Sequence, residues 1–512
     1  MTMNVPLNLK SGHLFGLGFS RRRWLCLFAL LYCGFVCVVT SSAQRRLTLD
    51  DAIMLARKQS VEAEVALGEL KSAYWEYRTY RANLLPEVSL GANIPSYNKS
   101  YSSYQREDGS YSFVRNDNIG IDGNLSLTQN LWFTGGSLSL RSSLDFTRNI
   151  GRGNENQYMS VPVVLTLSQP VFAANTFKWD RRIEPLRYKE AKASFLSSTE
   201  NVALTAITYF FNLLLAEENV GISGQNLRNA EKLYEVAQAK RRMGQISEND
   251  VLQLRLNMLN AQSALTENES SLKSAMFALR SFLALGENEE VELVVPDSVP
   301  SVLMNYDDVL SKALENNAFA HNIRRRQLEA DYAVARAKGN LREMTLYAQI
   351  GYTGTDRDIH GAYSTLKDNQ VVEVGLRIPI LDWGKRKGRV KVAQSNRRVT
   401  ESRLRQESMN FNQNLFILTE QFNNQLRQLR IAEEADEIAR KRYETNVETF
   451  MIGKISTLDL NDAQTAKDEA RRKRVSELYS YWRYYYQLRS LTLWDFAAGT
   501  GIDADFVEIV KN

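Results

Sequence analysis

Three short motifs of this chain recur, in the same order, in its second half. LTLDDAI (47–53) returns as MNYDDVL (304–310), LTLSQPVF (165–172) as VGLRIPIL (374–381), and MGQISENDV (243–251) as IGKISTLDL (452–460). The last two pairs share one offset: Pro170 to Pro379 and Gly244 to Gly453 are both 209 residues apart. The first motif reads as a helix start, the second as an alternating strand and the third as a turn between helices. A duplicated helix–strand–helix–turn–helix unit leaves few architectures open.

The first 43 residues read as a signal peptide. Arg21, Arg22 and Arg23 precede a nearly continuous apolar run over 24–39, and Ser41, Ser42 and Ala43 supply small residues for cleavage before Gln44. The run is short for a membrane span. Cys26, Cys33 and Cys37 all lie inside it, none in the small-residue context of a lipoprotein site. The expected mature chain therefore has no lipid anchor, no disulfide and no thiolate chemistry. Cleavage also removes four basic residues, Lys10 and the three arginines, so the net charge falls from +5 to about +1. Binding to nucleic acid then has no electrostatic support.

After the leader no apolar run is long enough for a helical span. Several segments instead alternate with period two. The apolar sets are Val88, Leu90, Ala92 and Ile94; Val163, Leu165, Leu167 and Val171; Leu346, Ala348, Ile350 and Tyr352; and Val372, Val374, Leu376, Ile378 and Ile380. Polar residues fill the intervening positions. That pattern suits a barrel wall between lipid and water, or a half-buried strand in a sandwich. Tyr97, Tyr101, Tyr104, Tyr111 and Tyr363 crowd the expected connections, where aromatic residues suit a membrane interface.

The remainder reads as long helices. Residues 186–243 and 385–451 carry apolar positions at three- and four-residue spacing, giving rods of roughly 90 Å that need a coiled-coil partner. Shorter helices are expected over 49–84, 247–285, 306–340 and 456–493. Two of these, end to end, match one long helix; that arrangement, twice over, makes a hollow half-cylinder rather than a solid bundle. One core hairpin per repeat gives about four strands, and eight is the practical minimum for a closed barrel, so closure needs several copies.

With these motifs duplicated in order behind a leader, the mature chain resembles the TolC-like outer-membrane efflux proteins of Gram-negative bacteria. The resemblance implies a mixed α and β membrane fold, with two internal repeats per chain. A long antiparallel α-helical coiled-coil barrel would cross the periplasm, joined to a transmembrane β-barrel in outer-membrane lipid and shared by a homotrimer. The divisions are then a first repeat at 44–290, an equatorial linker at 291–303, a second repeat at 304–495 and an equatorial tail at 496–512. In the first repeat the core motif occurs a third time, as LSLTQNLW (125–132), and the repeat offset rises from 209 to 257. The additional residues, with a hairpin at 122–157, read as an extracellular hairpin or as strands that widen the barrel.

The turns between helices would form the periplasmic tip. Gly244 and Gly453 suit a helix C-cap and Ser247 and Ser456 an N-cap. With Ile246 and Ile455 they are the implied docking site for a periplasmic adaptor. Asp459 and Asp462, three apart on one helix face, are the implied acidic gate, with Asp250 as the matching acid of the first repeat. Six carboxylates around one constriction would attract cations. Some family members carry a basic residue two positions after the turn glycine; here that residue is Ile455, which leaves Lys454, a nearby arginine or other contacts as the alternatives for the lock.

The expected function is a passive exit duct of a tripartite efflux pump, working with an adaptor and an inner-membrane RND or ABC transporter. The alternatives are the outer-membrane part of type I protein secretion and, from another class, a helical adhesin. No cofactor and no catalytic site are expected. The mature chain lacks cysteine, a nucleophile elbow and a P-loop, and its two histidines, His321 and His360, are far apart. His321 reads as a surface residue and His360 as a loop residue, and no metal cluster is apparent.

Overall fold

A computed structural model describes residues 45–150, 155–286, 289, 291–296, 299–377, 381–452 and 454–511. The leader, Gly453 and Ile378 to Ile380 lie outside them. The chain begins with β1 (Arg45–Leu47), α1 (Leu49–Gln59) and α2 (Val61–Ala82). Four strands follow: β2 (Glu87–Gln105), β3 (Tyr111–Leu131), β4 (Gly136–Asn149) and β5 (Glu155–Pro170). The first repeat closes with α3 (Thr176–Arg242) and α4 (Glu248–Phe282). After β6 (Val291–Leu293) come α5 (Tyr306–Asn316), α6 (Ala318–Gly339), β7 (Glu343–Asp356), α7 (Ile359–Ser364) and β8 (Leu366–Arg377). The long α8 (Lys385–Met451) and α9 (Thr457–Thr492) complete the second repeat, and β9 (Trp494–Asp495), β10 (Thr500–Gly501) and α10 (Phe506–Lys511) end the chain.

Each repeat sets one 67-residue helix, roughly 100 Å long, against two shorter ones. The long α3 packs on α2 towards the sheet and on α4 beyond it; α8 does the same with α6 and α9. Two of the expected half-length helices are each divided. Ser60 ends α1 and caps α2, its Oγ accepting from Ala63 N at 3.2 Å. Asn317 does the same between α5 and α6, accepting from Phe319 N at 2.8 Å while its Nδ2 donates to Leu491 O at 2.8 Å. The first long helix starts at Thr176, ten residues earlier than the proline at 185 suggests. Proline removes one helical hydrogen bond; here packing on both sides holds the turn, with Ile183 buried and Tyr188 stacked on Tyr77 at 4.9 Å.

One core holds the repeats together at mid-length. Leu47 and Val291, in the parallel pair β1–β6, join Ile53 of α1, Phe210 of α3, Leu279 of α4, Phe422 of α8 and Tyr481 of α9. Beside it lies an ionic knot. Glu200 of α3 is 1 % exposed; its Oε1 accepts from Arg57 Nη2 at 2.5 Å and its Oε2 from Arg489 Nε at 3.1 Å. Arg489 also reaches Asp495 at 2.5 Å.

The sheet departs from the expected four strands. Among the described residues it has six, in the order β2-β3-β4-β5-β7-β8, all antiparallel. The segment at 122–157 is woven into this sheet: β4 pairs along its length with β3 on one side and β5 on the other. β2 and β3 also run past the point where β4 ends, at Asn149 opposite Asn118. Tyr97, Tyr101, Tyr104 and Tyr111 therefore stand in strands rather than in connections. Tyr363 and His360 lie in α7, which is seated on β5 and β7: Ser160 Oγ of β5 donates to Ala362 O at 2.5 Å. His321, on α6, is half-buried rather than a surface residue, and burial lowers its pKa.

Register places the apolar residues on one face across the whole sheet. Leu90 pairs with Leu125, Leu127 with Leu140, Leu140 with Leu165, Leu165 with Ile350, and Ala348 with Val372. Leu90 is 80 % exposed and Val372 78 %, so among the described residues this face is open at both edge strands, while α7 covers it near Gly354. The other face carries Ser89, Ser126, Asn93 and Asp122, tied by Ser89–Ser126 at 2.7 Å and Asn93–Asp122 at 2.8 Å.

Candidate functional site

The two turns at the far end of the long helices share a backbone solution. Arg242 ends α3, and Gly244 follows at φ +73°, a conformation glycine adopts without penalty. Gln245 N then donates to Lys240 O at 3.0 Å and Gly244 N to Arg241 O at 3.0 Å, which satisfies the last carbonyls of the helix. In the second turn Lys454 N donates to Thr449 O at 3.1 Å, the same closure 209 residues later. Gly453, at its centre, is outside the described residues.

The next helix in each case opens with a capping box. Ser247 Oγ donates to Asp250 Oδ2 at 2.7 Å and accepts from Asp250 N at 3.1 Å. Ser456 Oγ donates to Asp459 Oδ2 at 2.7 Å and accepts from Asp459 N at 3.2 Å. The serine hydroxyls, followed by the serine backbone N–H groups, hold both carboxyls below the usual carboxylate range. These acids are therefore helix caps, and they remain charged at any physiological pH. Ile246 and Ile455 are half-buried beneath the turns, while Gly244, Ser247 and Ser456 are exposed.

Asp462 differs from the other two acids. It lies one turn beyond Asp459, outside the cap, and accepts from Arg442 Nη2 of α8 at 2.7 Å. The two side chains are 51 % and 67 % exposed, so the pair sits on the chain's surface. Of the basic residues near the turn, Arg442 rather than Lys454 is the one bonded to this acid. It stands ten residues before Ile452 as Asp462 stands eight after Lys454, so folding the helical hairpin about its turn brings the two together. Asn446 Nδ2 adds a bond to Asp459 O at 3.3 Å.

A second group links the repeats behind the tips. Asn229 Nδ2 of α3 donates to Tyr443 Oη of α8 at 2.6 Å, and Asn226 Nδ2 donates to Asp468 of α9 at 2.6 Å. Lys467 lies 4.3 Å from the Tyr443 ring centre and 3.2 Å from Asp468. No sequence signal marks Asn226, Asn229, Lys467 or Asp468, whereas Tyr443 falls on the apolar stripe of its helix. Among the described residues no group of acids and histidines could hold a metal ion, and no helix is long and apolar enough to cross a membrane.

At the opposite end of the helices aromatic residues ring the sheet's edge. Trp132 and Phe133 occupy the β3–β4 turn, Phe172 follows β5, and Trp383, 89 % exposed, precedes α8. Arg181 lies over Trp132 at 4.5 Å. Large amphipathic rings beside an apolar band are the arrangement found at a membrane–water boundary.

A sequence model of the family described as outer membrane efflux protein matches residues 52–285 and 309–492. No curated protein sequence matches. Among solved structures the chain is similar to the CmeC outer membrane channel of Campylobacter jejuni, with 16 % identity, 90 % of this chain and 88 % of that one covered, and a TM-score of 0.63. It is also similar to VceC of Vibrio cholerae, with 15 % identity, 89 % and 97 % covered, and a TM-score of 0.57. A third is the outer-membrane channel OprN, with 13 % identity, 87 % and 89 % covered, and a TM-score of 0.62.

Proposed function

The chain belongs to the outer membrane efflux protein family, and on that premise we propose that it is the exit duct of a tripartite efflux pump, working as a homotrimer. Members of the family are TolC-like channels of the Gram-negative outer membrane that extend into the periplasm, and they transport rather than catalyse. The observation that carries the reading is the six-stranded sheet, with one continuous apolar face and both edges open. Unpaired strand edges are not tolerated in lipid, so the sheet must close with further copies. The row of helices continuing from it would close in the same way, into a tunnel lined by three chains.

The tips are the proposed meeting point with a periplasmic adaptor, through Gly244, Ile246, Ser247, Gly453, Ile455 and Ser456. The proposed gate is Asp462, held to Arg442, with the fixed charges of Asp459 on the same helix and of Asp250 on the first-repeat tip. Native mass measurement of the detergent-solubilised protein and planar-bilayer conductance test the duct. The expected result is a trimer passing small, cation-selective currents. A monomer that conducts nothing would overturn the reading. Restoration of drug efflux to a channel-deleted strain, set against restoration of protein secretion, distinguishes an efflux partner from a type I secretion partner.

A further inference from the structure

The sheet and the helices beneath it do not match strand for helix. Four helices meet the sheet: α2 enters β2, α3 leaves β5, α6 enters β7 and α8 leaves β8. They pack side by side in the order α2-α3-α6-α8. Their strands appear in the same order, β2-β5-β7-β8, except that β3 and β4 stand between the first two. The inserted pair has no helix of its own. Its turn instead rests on the neighbouring chain segments: Asn130 Nδ2 donates to Asn83 O at 3.0 Å, and Asn175 Nδ2, at the start of α3, donates to Trp132 O at 3.0 Å.

We propose that the membrane barrel of this protein has eighteen strands, six from each of three copies, closed by β2 of one copy pairing with β8 of the next, and that the inserted strands make it as wide as its helical tunnel. The proposal rests on the trimeric duct reading above. With strands about 4.8 Å apart and tilted about 40°, each occupies roughly 6.3 Å of circumference. Six strands then span about 38 Å, whereas the four expected from one hairpin per repeat span about 25 Å. Four packed helices at about 8–10 Å spacing span about 32–40 Å. Six strands therefore cover the arc of four helices without a taper. The barrel radius is roughly 18 Å for eighteen strands and roughly 12 Å for twelve. A barrel of the larger size leaves an aqueous channel, so the constriction of the duct falls at the helical tips and not in the membrane.

Edge chemistry fits the same closure. Both edge strands alternate in phase with the rest of the sheet: Val88 and Leu90 of β2 share the apolar face with Val372 and Val374 of β8. Joining these edges continues the lipid-facing band and places Ser89 near Val371 and Glu373 on the polar side.

Disulfide mapping in outer membranes tests this, since every cysteine of the sequence lies in its first 37 residues. Ser89→Cys combined with Val371→Cys or Glu373→Cys samples two registers between copies. Ser139→Cys with Thr166→Cys reports β4 paired with β5, which are direct partners. Ser89→Cys with Thr166→Cys reports β2 beside β5, three strands apart in the six-stranded sheet but adjacent if the insert leaves the wall. The expected result is covalent trimers from an inter-copy pair, protection of the Ser139/Thr166 pair from a thiol mass tag, and free thiols at Ser89/Thr166. Closure of Ser89/Thr166 with Ser139/Thr166 open, while inter-copy trimers persist, would overturn the eighteen-strand barrel and leave the trimeric duct standing. Absence of inter-copy bonds in a protein that runs as a trimer would overturn the β2–β8 closure. Absence of bonds in a protein that runs as single chains would overturn the duct reading with it.

Discussion

Replacing Glu200 by alanine should loosen the whole mid-section of the helices. Its carboxylate is almost wholly buried and holds two guanidinium groups, Arg57 from the first repeat and Arg489 from the end of the second. Arg489 keeps Asp495 as a partner after truncation, but Arg57 loses its acid within a packed region. Removing one member of a buried ionic cluster costs about 3–5 kcal/mol, mostly because the remaining charge is left uncompensated. A cooperative unit of about 300 residues unfolds with an entropy of roughly 0.6 kcal/mol/K, so the melting temperature should fall by roughly 5–8 °C. Glu200→Gln retains the shape and part of the hydrogen bonding and should fall by roughly half as much. Far-ultraviolet circular dichroism of the detergent-solubilised protein during heating measures this. Asp462→Asn is the control, because its exposed pair with Arg442 is worth about 0–1 kcal/mol and should move the midpoint by less than about 2 °C. An alanine variant that melts with the wild type, or an Asp462 variant that falls as far, would refute the argument that burial decides which ion pair matters.

Asp462→Asn should nonetheless raise single-channel conductance and weaken cation selectivity, since it removes one charge per copy and frees Arg442; unchanged currents would move the gate elsewhere. Gly244→Ala places a Cβ at φ +73° with no steric neighbour, so its cost is conformational and roughly 1–2 kcal/mol. Exchange of the Gln245 amide should quicken by roughly 5–30-fold in hydrogen–deuterium exchange, with the melting temperature lowered by at most about 3 °C. Burial, then the neighbours Glu218 and Glu292, lift the Glu217 carboxyl to about 7 from its ordinary 4.5. The folded chain then holds a proton between pH 4.5 and 7 that the unfolded chain has released, so stability falls as pH rises through that window. Melting curves of Glu217→Gln should lose that slope and exceed the wild type above pH 7.

The repeated tips are the part of the fold most legible in the sequence, because their geometry is set within a few residues. A glycine at the helix end and a serine three before an aspartate need no distant partner to form the closure and the capping box. The alternating strands were legible for the same local reason. What sequence leaves out depends on packing across hundreds of residues. Asn317 divides α5 from α6 through bonds to Leu491 and Ser490, far along the chain. Ser60 does so at the matching place, itself 2 % exposed. Neither residue breaks a helix by propensity alone. Pro185 shows the reverse: a strong local signal is overridden by burial of the turn around it. Arg442 escapes notice because its partner is met only after the hairpin folds.

The third copy of the core motif explains what that motif is for. In sequence it reads as a strand end leading into a long helix, yet LSLTQNLW leads into a turn and another strand. The structure assigns its glutamine a latch that needs no helix. Gln129 Nε2 donates to Leu84 O at 3.0 Å and Asn130 O at 2.7 Å. Gln169 Nε2 donates to Thr134 O at 3.1 Å and Pro170 O at 2.8 Å. Each glutamine ties its strand to the connection beside it, the first to the end of α2, the second to the β3–β4 turn. The second latch explains the second of the two glycines after Thr134, and the turn's backbone explains the first. Gly135 stands at φ +85°, and a Cβ on Gly136 would lie 2.4 Å from Gln169 Oε1. In the first repeat the motif therefore marks the helix-side end of a strand, whatever follows; its second-repeat counterpart carries Ile378 in place of the glutamine. Copying the motif with one hairpin adds two strands to the sheet and a matching latch at its helix-side edge, without adding a helix.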